Sequence, residues 1–159
     1  ITRSDRNLNF LLSSWEKIVQ RSSNSELYIN PPYNLSEKES QMNVKLRVKS
    51  DKNKLIDELK NSRVMLNPGH KGEVFCLAAV EAKELCLPIV TMGYGALKER
   101  VEHGVTGYIA NNQNEFIDYS LDILNNDETY KKFRNNLFNK RGMRTYKNVA
   151  EDLINIITT

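Results

Sequence analysis

The sequence predicts an α/β domain, a parallel β-sheet with helices packed on both faces. Three observations carry that expectation. Short β-rich runs alternate with stretches of helical periodicity along the chain, the pattern left by parallel strands joined through helical crossovers. The β-rich runs are brief and stop at Pro31, Pro68 and Gly93, residues that end strands or begin turns. The 159 residues fit one domain, and surface scaling buries about 70% of the unfolded area at this size. Right-handed crossovers then give a doubly wound, Rossmann-like arrangement.

Taken in order, residues 1–3 could be the tail of a strand. Leu8, Leu11, Leu12, Trp15, Ile18 and Val19 recur at helical spacing, with Ser4 or Asp5 as the cap. Residues 26–30 read as a strand, and the polar stretch 31–43 as a loop. Val44, Leu46 and Val48 alternate as a strand does. Asp51 can cap a helix carrying Leu55, Ile56 and Leu59. Residues 63–67 form the next strand, and 73–86 read as a buried helix. A strand at 88–91, a helix at 96–103 closed by Gly104, and a strand at 107–110 follow. Three amphipathic helices complete the chain, marked by Phe116 and Leu121, by Phe133 and Leu137, and by Val149 and Leu153.

Composition narrows the function. A net charge of +3 is too mild and too scattered for a nucleic-acid module. It suits an anionic ligand such as a nucleotide diphosphate, and equally an anionic membrane surface. Cys76 and Cys86 have no metal or redox spacing and read as inert core thiols in a reducing cytoplasm. The longest apolar run, 74–80, falls far short of a membrane span. No His/Cys/Asp cluster has ligand spacing, so no metal is expected.

In a doubly wound sheet the ligand lies beyond the carboxyl ends of the strands. Two loops leave those ends here: 68–75, and 92–97. The first feeds a helix, whose N-terminus offers unpaired N–H groups and partial positive charge to a phosphate. Glu73 and Glu81 are eight residues apart; on one continuous helix that is about 80° of rotation and about 12 Å of rise. A carboxylate at the mouth can take sugar hydroxyls, and a deeper one a ribose diol. Spacing alone fits a solvated first-turn acid and a surface residue equally. His70 and Lys71 in the loop fit either an anion contact or plain solvent exposure.

The surroundings are more specific. Pro68, then Glu73-Val-Phe-Cys-Leu-Ala-Ala-Val-Glu81-Ala, Leu87-Pro88-Ile-Val, Gly95-Ala-Leu-Lys-Glu99 and Gly104-Val-Thr-Gly107 stand in one order. This string resembles the signature of the family 4 retaining glycosyltransferases and their GT-B relatives: Pro-Ser, an E-x7-E element, Gly-Leu-Pro-Val-Val, Gly-Gly-x-x-Glu and Gly-x-x-Gly. Arg6-Asn-Leu with Leu11-Leu12, Glu26-Leu-Tyr-Ile and Tyr146-Lys-Asn-Val-Ala-Glu-Asp-Leu extend the likeness over nearly the whole chain.

The resemblance implies the C-terminal, donor-binding half of a GT-B enzyme over residues 1–159, with an N-terminal acceptor domain outside this chain. It implies transfer of a hexose from a UDP- or GDP-sugar to a sugar, lipid-linked or polysaccharide acceptor, with retention and without a bound metal. Glu73 would be catalytic, beside the sugar hydroxyls and anomeric carbon. Glu81 would bond the ribose. Backbone amides of Val74, Phe75, Cys76 and Leu77 would hold sugar and diphosphate, with Arg3, Arg6 and Lys71 as basic contacts. The base would rest near residues 48–50. The enzyme would be cytoplasmic, or peripheral at the inner face of a membrane.

The sequence departs from the family at its glycines: Val74 and Cys76 replace the pair in Glu-Gly-Phe-Gly, Cys86 the one before Leu-Pro, and Asn7 the one after Arg6. Side chains at Val74 and Cys76 would narrow the mouth. A non-catalytic sugar-nucleotide module with a degenerate site is therefore the alternative. A phosphorylase lacks its lysine signature here, and a receiver-like domain lacks its acidic cluster.

Overall fold

The computed structural model describes residues 7–30, 33–142 and 146–158. The order is α1 (Leu8–Arg21), β1 (Leu27–Ile29), α2 (Glu37–Gln41), β2 (Val44–Leu46), α3 (Lys52–Lys60), β3 (Met65–Leu66), α4 (Leu77–Glu84), β4 (Ile89–Thr91), α5 (Leu97–Arg100), β5 (Gly107–Ile109), α6 (Gln113–Asn125), α7 (Asp127–Lys140) and α8 (Tyr146–Ile157). Every strand pairing among the described residues is parallel, as the alternation predicts. The ladder is divided: β1 pairs with β2, and β3-β4-β5 form a separate run.

Helices cover both faces. Period-two alternation sends Val90 to one side of β4 and Ile89 to the other. Val90 and Ala110 join Leu8, Leu11, Trp15 and Ile18 of α1 with Phe116, Ile117 and Leu121 of α6. Ile89 joins Ala79 and Ala82 of α4 with Leu97 and Val101 around α5. The small residues of α4 let it lie close to the sheet. Gly107 does the same within it, since a Cβ there would meet the Ile89 carbonyl oxygen at 2.2 Å. Trp15 is buried and its indole N–H donates to the Met42 carbonyl at 2.7 Å, so its one polar atom is satisfied. Arg63 ties the start of β3 to the far layer. It donates to the Ile123 carbonyl at 2.7 Å, pairs with Asp127 at 2.6 Å and stacks on Tyr130 at 4.5 Å.

Three expectations need correction. The stretch 31–43 is not all loop, because Ser36 and Glu39 form a reciprocal capping box that starts α2. The helix expected from residue 73 begins at Leu77 instead, because the chain turns through 73–76 first. The helix expected over 96–103 is short, α5 ending at Arg100. The predicted strand tail at 1–3 lies outside the described residues, as do Ser4 and Asp5.

α8 differs from the other long helices. Val149, Leu153, Ile154, Ile156 and Ile157 are all exposed.

Candidate functional site

Two loops meet beyond the carboxyl ends of β3 and β4. Asn67 organises the first. Its Oδ1 accepts from the Gly69 N–H at 3.1 Å, and its Nδ2 donates to Cys76 Sγ at 3.6 Å. His70 closes the next turn, its Nδ1 accepting from the Gly72 N–H at 2.7 Å, so the neutral ring carries its proton on Nε2. The Glu73 N–H then donates to the His70 carbonyl at 3.1 Å. The second loop presses against the first: the Ala96 N–H donates to the Glu73 carbonyl at 2.8 Å. Gly95 permits that approach, with φ at +56° and only 2.4 Å between a would-be Cβ and the Glu73 oxygen.

The segment 73–76 is a turn that delivers the chain to α4. The Glu73 carboxylate accepts from the Cys76 N–H at 3.2 Å. Cys76 adopts a left-handed conformation, φ 56°, and gives α4 no side-chain cap. Val74, Phe75 and Leu77 are 90%, 49% and 65% exposed, so an apolar lip lines the opening. Glu81 is exposed on α4, four residues beyond Leu77, about one turn or 6 Å deeper. The two acids therefore do not share a helix: Glu73 belongs to the turn before it. The structure brings Glu73, Val74, Phe75, Cys76 and Leu77 together, with Lys71 exposed in the preceding turn. Arg3 and Arg6 lie outside the described residues.

α1 reaches the same place. It also begins without a side-chain cap, at Asn7 with φ 60°, and the Asn7 Nδ2 donates to the Gly69 carbonyl at 2.5 Å. The positive end of a second helix is thereby tied to the loop that opens α4. At 48–50, Val48 is exposed, and Ser50 Oγ is buried without a hydrogen-bond partner.

The lost glycines acquire a structural meaning. Asn7, Cys76 and Cys86 all hold positive φ, 60°, 56° and 55°. The backbone keeps a glycine-like path where the sequence no longer has glycine. Cys86 sits after α4 in a Schellman turn, with Cys86 N–H to Lys83 O at 3.0 Å and Leu87 N–H to Ala82 O at 2.8 Å. The expected narrowing of the mouth needs a correction at Cys76, whose side chain turns into the core beside Ala79 and Leu97. Burial pushes its thiol up from the ordinary range. Of the two substituted glycine positions in the turn, only Val74 projects from it.

Arg100, at the end of α5, escaped the sequence reading. Its Nε–H donates to the Phe75 carbonyl at 3.1 Å and its guanidinium lies 4.4 Å from the Phe75 ring centre. No spacing rule links positions 75 and 100. Asn67 was likewise legible only as a strand end.

Among the described residues no group of three or more His, Cys, Asp or Glu is placed to hold a metal. No helix among them is long and apolar enough to cross a membrane.

This architecture, parallel strands sandwiched by helices with an open helix start at their carboxyl ends, is that of a GT-B glycosyltransferase domain. The chain belongs to the glycosyl transferases group 1 family, whose model matches residues 6–140. Solved structures of similar fold include a TarM variant of S. aureus in complex with fondaparinux, alpha-GlcNAc-glycerol and UDP. It is 20% identical with a TM-score of 0.73, and the match covers 98% of this chain and 33% of that one. The C-terminal domain of LpcC, a group 1 glycosyl transferase from Francisella tularensis, is 15% identical with a TM-score of 0.74, covering 90% and 83%. The pneumococcal O-GlcNAc transferase GtfA, in complex with UDP and GlcNAc, is 15% identical with a TM-score of 0.68, covering 86% and 30%. This chain thus spans about a third of TarM and of GtfA. No curated protein matches.

Proposed function

We propose that this chain is the donor-binding domain of a larger retaining glycosyltransferase that moves a hexose from a UDP- or GDP-sugar to a sugar, lipid-linked or polysaccharide acceptor. The observation that carries the reading is the uncapped start of α4 behind the turn 73–76, in a group 1 family domain. The first-turn amides of α4 and the tethered start of α1 supply fixed positive charge for the diphosphate. Negative charge grows on the leaving nucleotide as the anomeric bond breaks, so dipoles already in place stabilise it without reorganising. Glu73 is the group next to the transferred sugar, and Glu81 takes the ribose. The region 48–50 receives the base, and the orphaned Ser50 hydroxyl offers a polar contact there. Arg3, Arg6 and Lys71 complete the basic surroundings. UDP in the TarM and GtfA structures supports a nucleotide donor.

Catalysis needs the cleft between this domain and an acceptor domain, whose closure excludes water. Alone, these residues should bind a sugar nucleotide weakly, in the micromolar-to-millimolar range or about −4 to −8 kcal/mol, and turn nothing over. The exposed Val74 favours a second reading, a binding module that has lost catalysis. Donor hydrolysis by a full-length version separates the two.

The site is expected to work without metal. Titration calorimetry with UDP and GDP in magnesium and then in chelator should give the same affinity. Loss of binding on chelation would overturn this account of the diphosphate site. No binding of either nucleotide would remove the donor assignment altogether.

A further inference from the structure

Resting on the donor-domain reading, we propose that Arg100 is a positioning residue that aims Glu73 at the donor by locking one peptide unit. The Phe75 carbonyl and the Cys76 N–H belong to the same planar group, and in a trans peptide they point opposite ways. Arg100 holds the oxygen at 3.1 Å, and Glu73 Oε1 holds the N–H at 3.2 Å. The guanidinium also lies over the Phe75 ring at 4.4 Å, so a half-rotation of this peptide breaks two hydrogen bonds and disturbs a stack. The Ala96 N–H fixes the other end of the turn through the Glu73 carbonyl at 2.8 Å. Both restraints come from α5 and its leading turn, not from α4 itself.

That arrangement explains how Cys76 keeps a left-handed conformation that a side chain disfavours. Such strain persists where surrounding contacts over-determine it. Here the same contacts orient the Glu73 carboxylate. Arg100 acts through Glu73 and touches no part of the nucleotide, so its loss falls on the sugar end of the donor and spares the nucleoside diphosphate.

The test uses Arg100→Ala and Arg100→Lys in this chain. Two readouts are needed: amide hydrogen exchange at Cys76, and affinities for UDP and GDP against UDP-glucose, UDP-N-acetylglucosamine and GDP-mannose. In Arg100→Ala the Cys76 amide should exchange at least about tenfold faster as the local turn opens. The sugar nucleotide that binds should weaken about tenfold, the scale of one charge-assisted hydrogen bond, while the diphosphates change less than about twofold. Arg100→Lys should restore part of the affinity, since an ammonium can reach a carbonyl but cannot stack as a plane. An unmoved Cys76 amide overturns the proposal. So does equal weakening of sugar nucleotides and bare diphosphates, which marks a merely structural role. If the unsubstituted chain binds none of these probes, the donor reading fails and the proposed aim at a donor fails with it. The amide exchange then still decides whether Arg100 holds the peptide.

Discussion

Six helix starts of this domain fall into two kinds, while α5 begins at Ala96 with neither a side-chain cap nor a positive φ. α2, α3, α6 and α7 close themselves: Ser36, Asp51, Asn112 and Asn126 each accept from a backbone N–H of the first turn. α1 and α4 do not, and both begin at a residue of positive φ next to the loop 67–76. The closed starts use local side chains to satisfy amides that otherwise need water. The open starts receive no such bond from their N-cap side chains. On the proposed donor-domain reading, stability chemistry and ligand chemistry occupy different helices of one fold.

The largest expected effect sharpens that contrast. Glu81→Ala should weaken UDP or GDP binding about ten- to a hundredfold, because a hydrogen bond to a charged group contributes about 1.5–3 kcal/mol. Glu73→Ala should leave the bare nucleotide nearly unchanged and act on the sugar nucleotide. Calorimetry on the four combinations checks it, and equal losses on UDP would break the division of roles.

Deleting a closed cap should do the reverse. Asn126→Ala or Asp51→Ala should lower stability by about 1 kcal/mol in a urea titration, with nucleotide affinity unchanged. Cys86 offers a comparable effect of unusual sign. Glycine normally destabilises relative to alanine, but at this left-handed position Cys86→Gly should be more stable than Cys86→Ala by about 1 kcal/mol. The usual order of the two variants would mean that the backbone relaxes out of the Schellman turn.

The smallest effect concerns acid. The Asn111 backbone N–H holds Glu115, at the start of α6, below its ordinary 4.5, and the Arg63 guanidinium holds Asp127, at the start of α7, below its ordinary 3.8. A depressed carboxylate stabilises the fold above its unfolded value, and that contribution is lost as pH falls through the folded value. Melting temperature should therefore drop as pH falls below 4.5 and then 3.8, and Glu115→Gln should flatten the first part. Asp127 is exposed and Glu115 only half-buried, so added salt should shrink the effect.

Much of this was legible in the chain. The α1 stripe with Trp15, the Asp51 cap and all five described strands follow from periodicity and turn residues, and the ordered motifs point to a GT-B glycosyltransferase domain. Ser36-Glu37-Lys38-Glu39 carried a capping signature inside a stretch that otherwise reads as loop. The late start of α4 was hidden because Val74, Phe75 and Cys76 are all acceptable helix residues, and the turn is imposed from α5 by contacts remote in sequence. The division of the strands into two runs was equally invisible, since alternation reports faces and not neighbours. Left-handed backbone at Cys76 and Cys86 has no signal in the cysteines themselves, only in their place at glycine positions of the resembled motifs.

Those two thiols also make the domain its own clock. Both are buried in the fold, one behind the turn 73–76 and the other at the far end of α4. A thiol reagent can reach either only when the chain locally opens, so each labelling rate reports the opening of its own end of the helix. At Cys76 the raised thiol adds a second brake, because the reacting species is the thiolate. A sugar nucleotide that seals the turn should slow Cys76 far more than Cys86. The ratio of the two rates would read occupancy without any label being engineered into the protein.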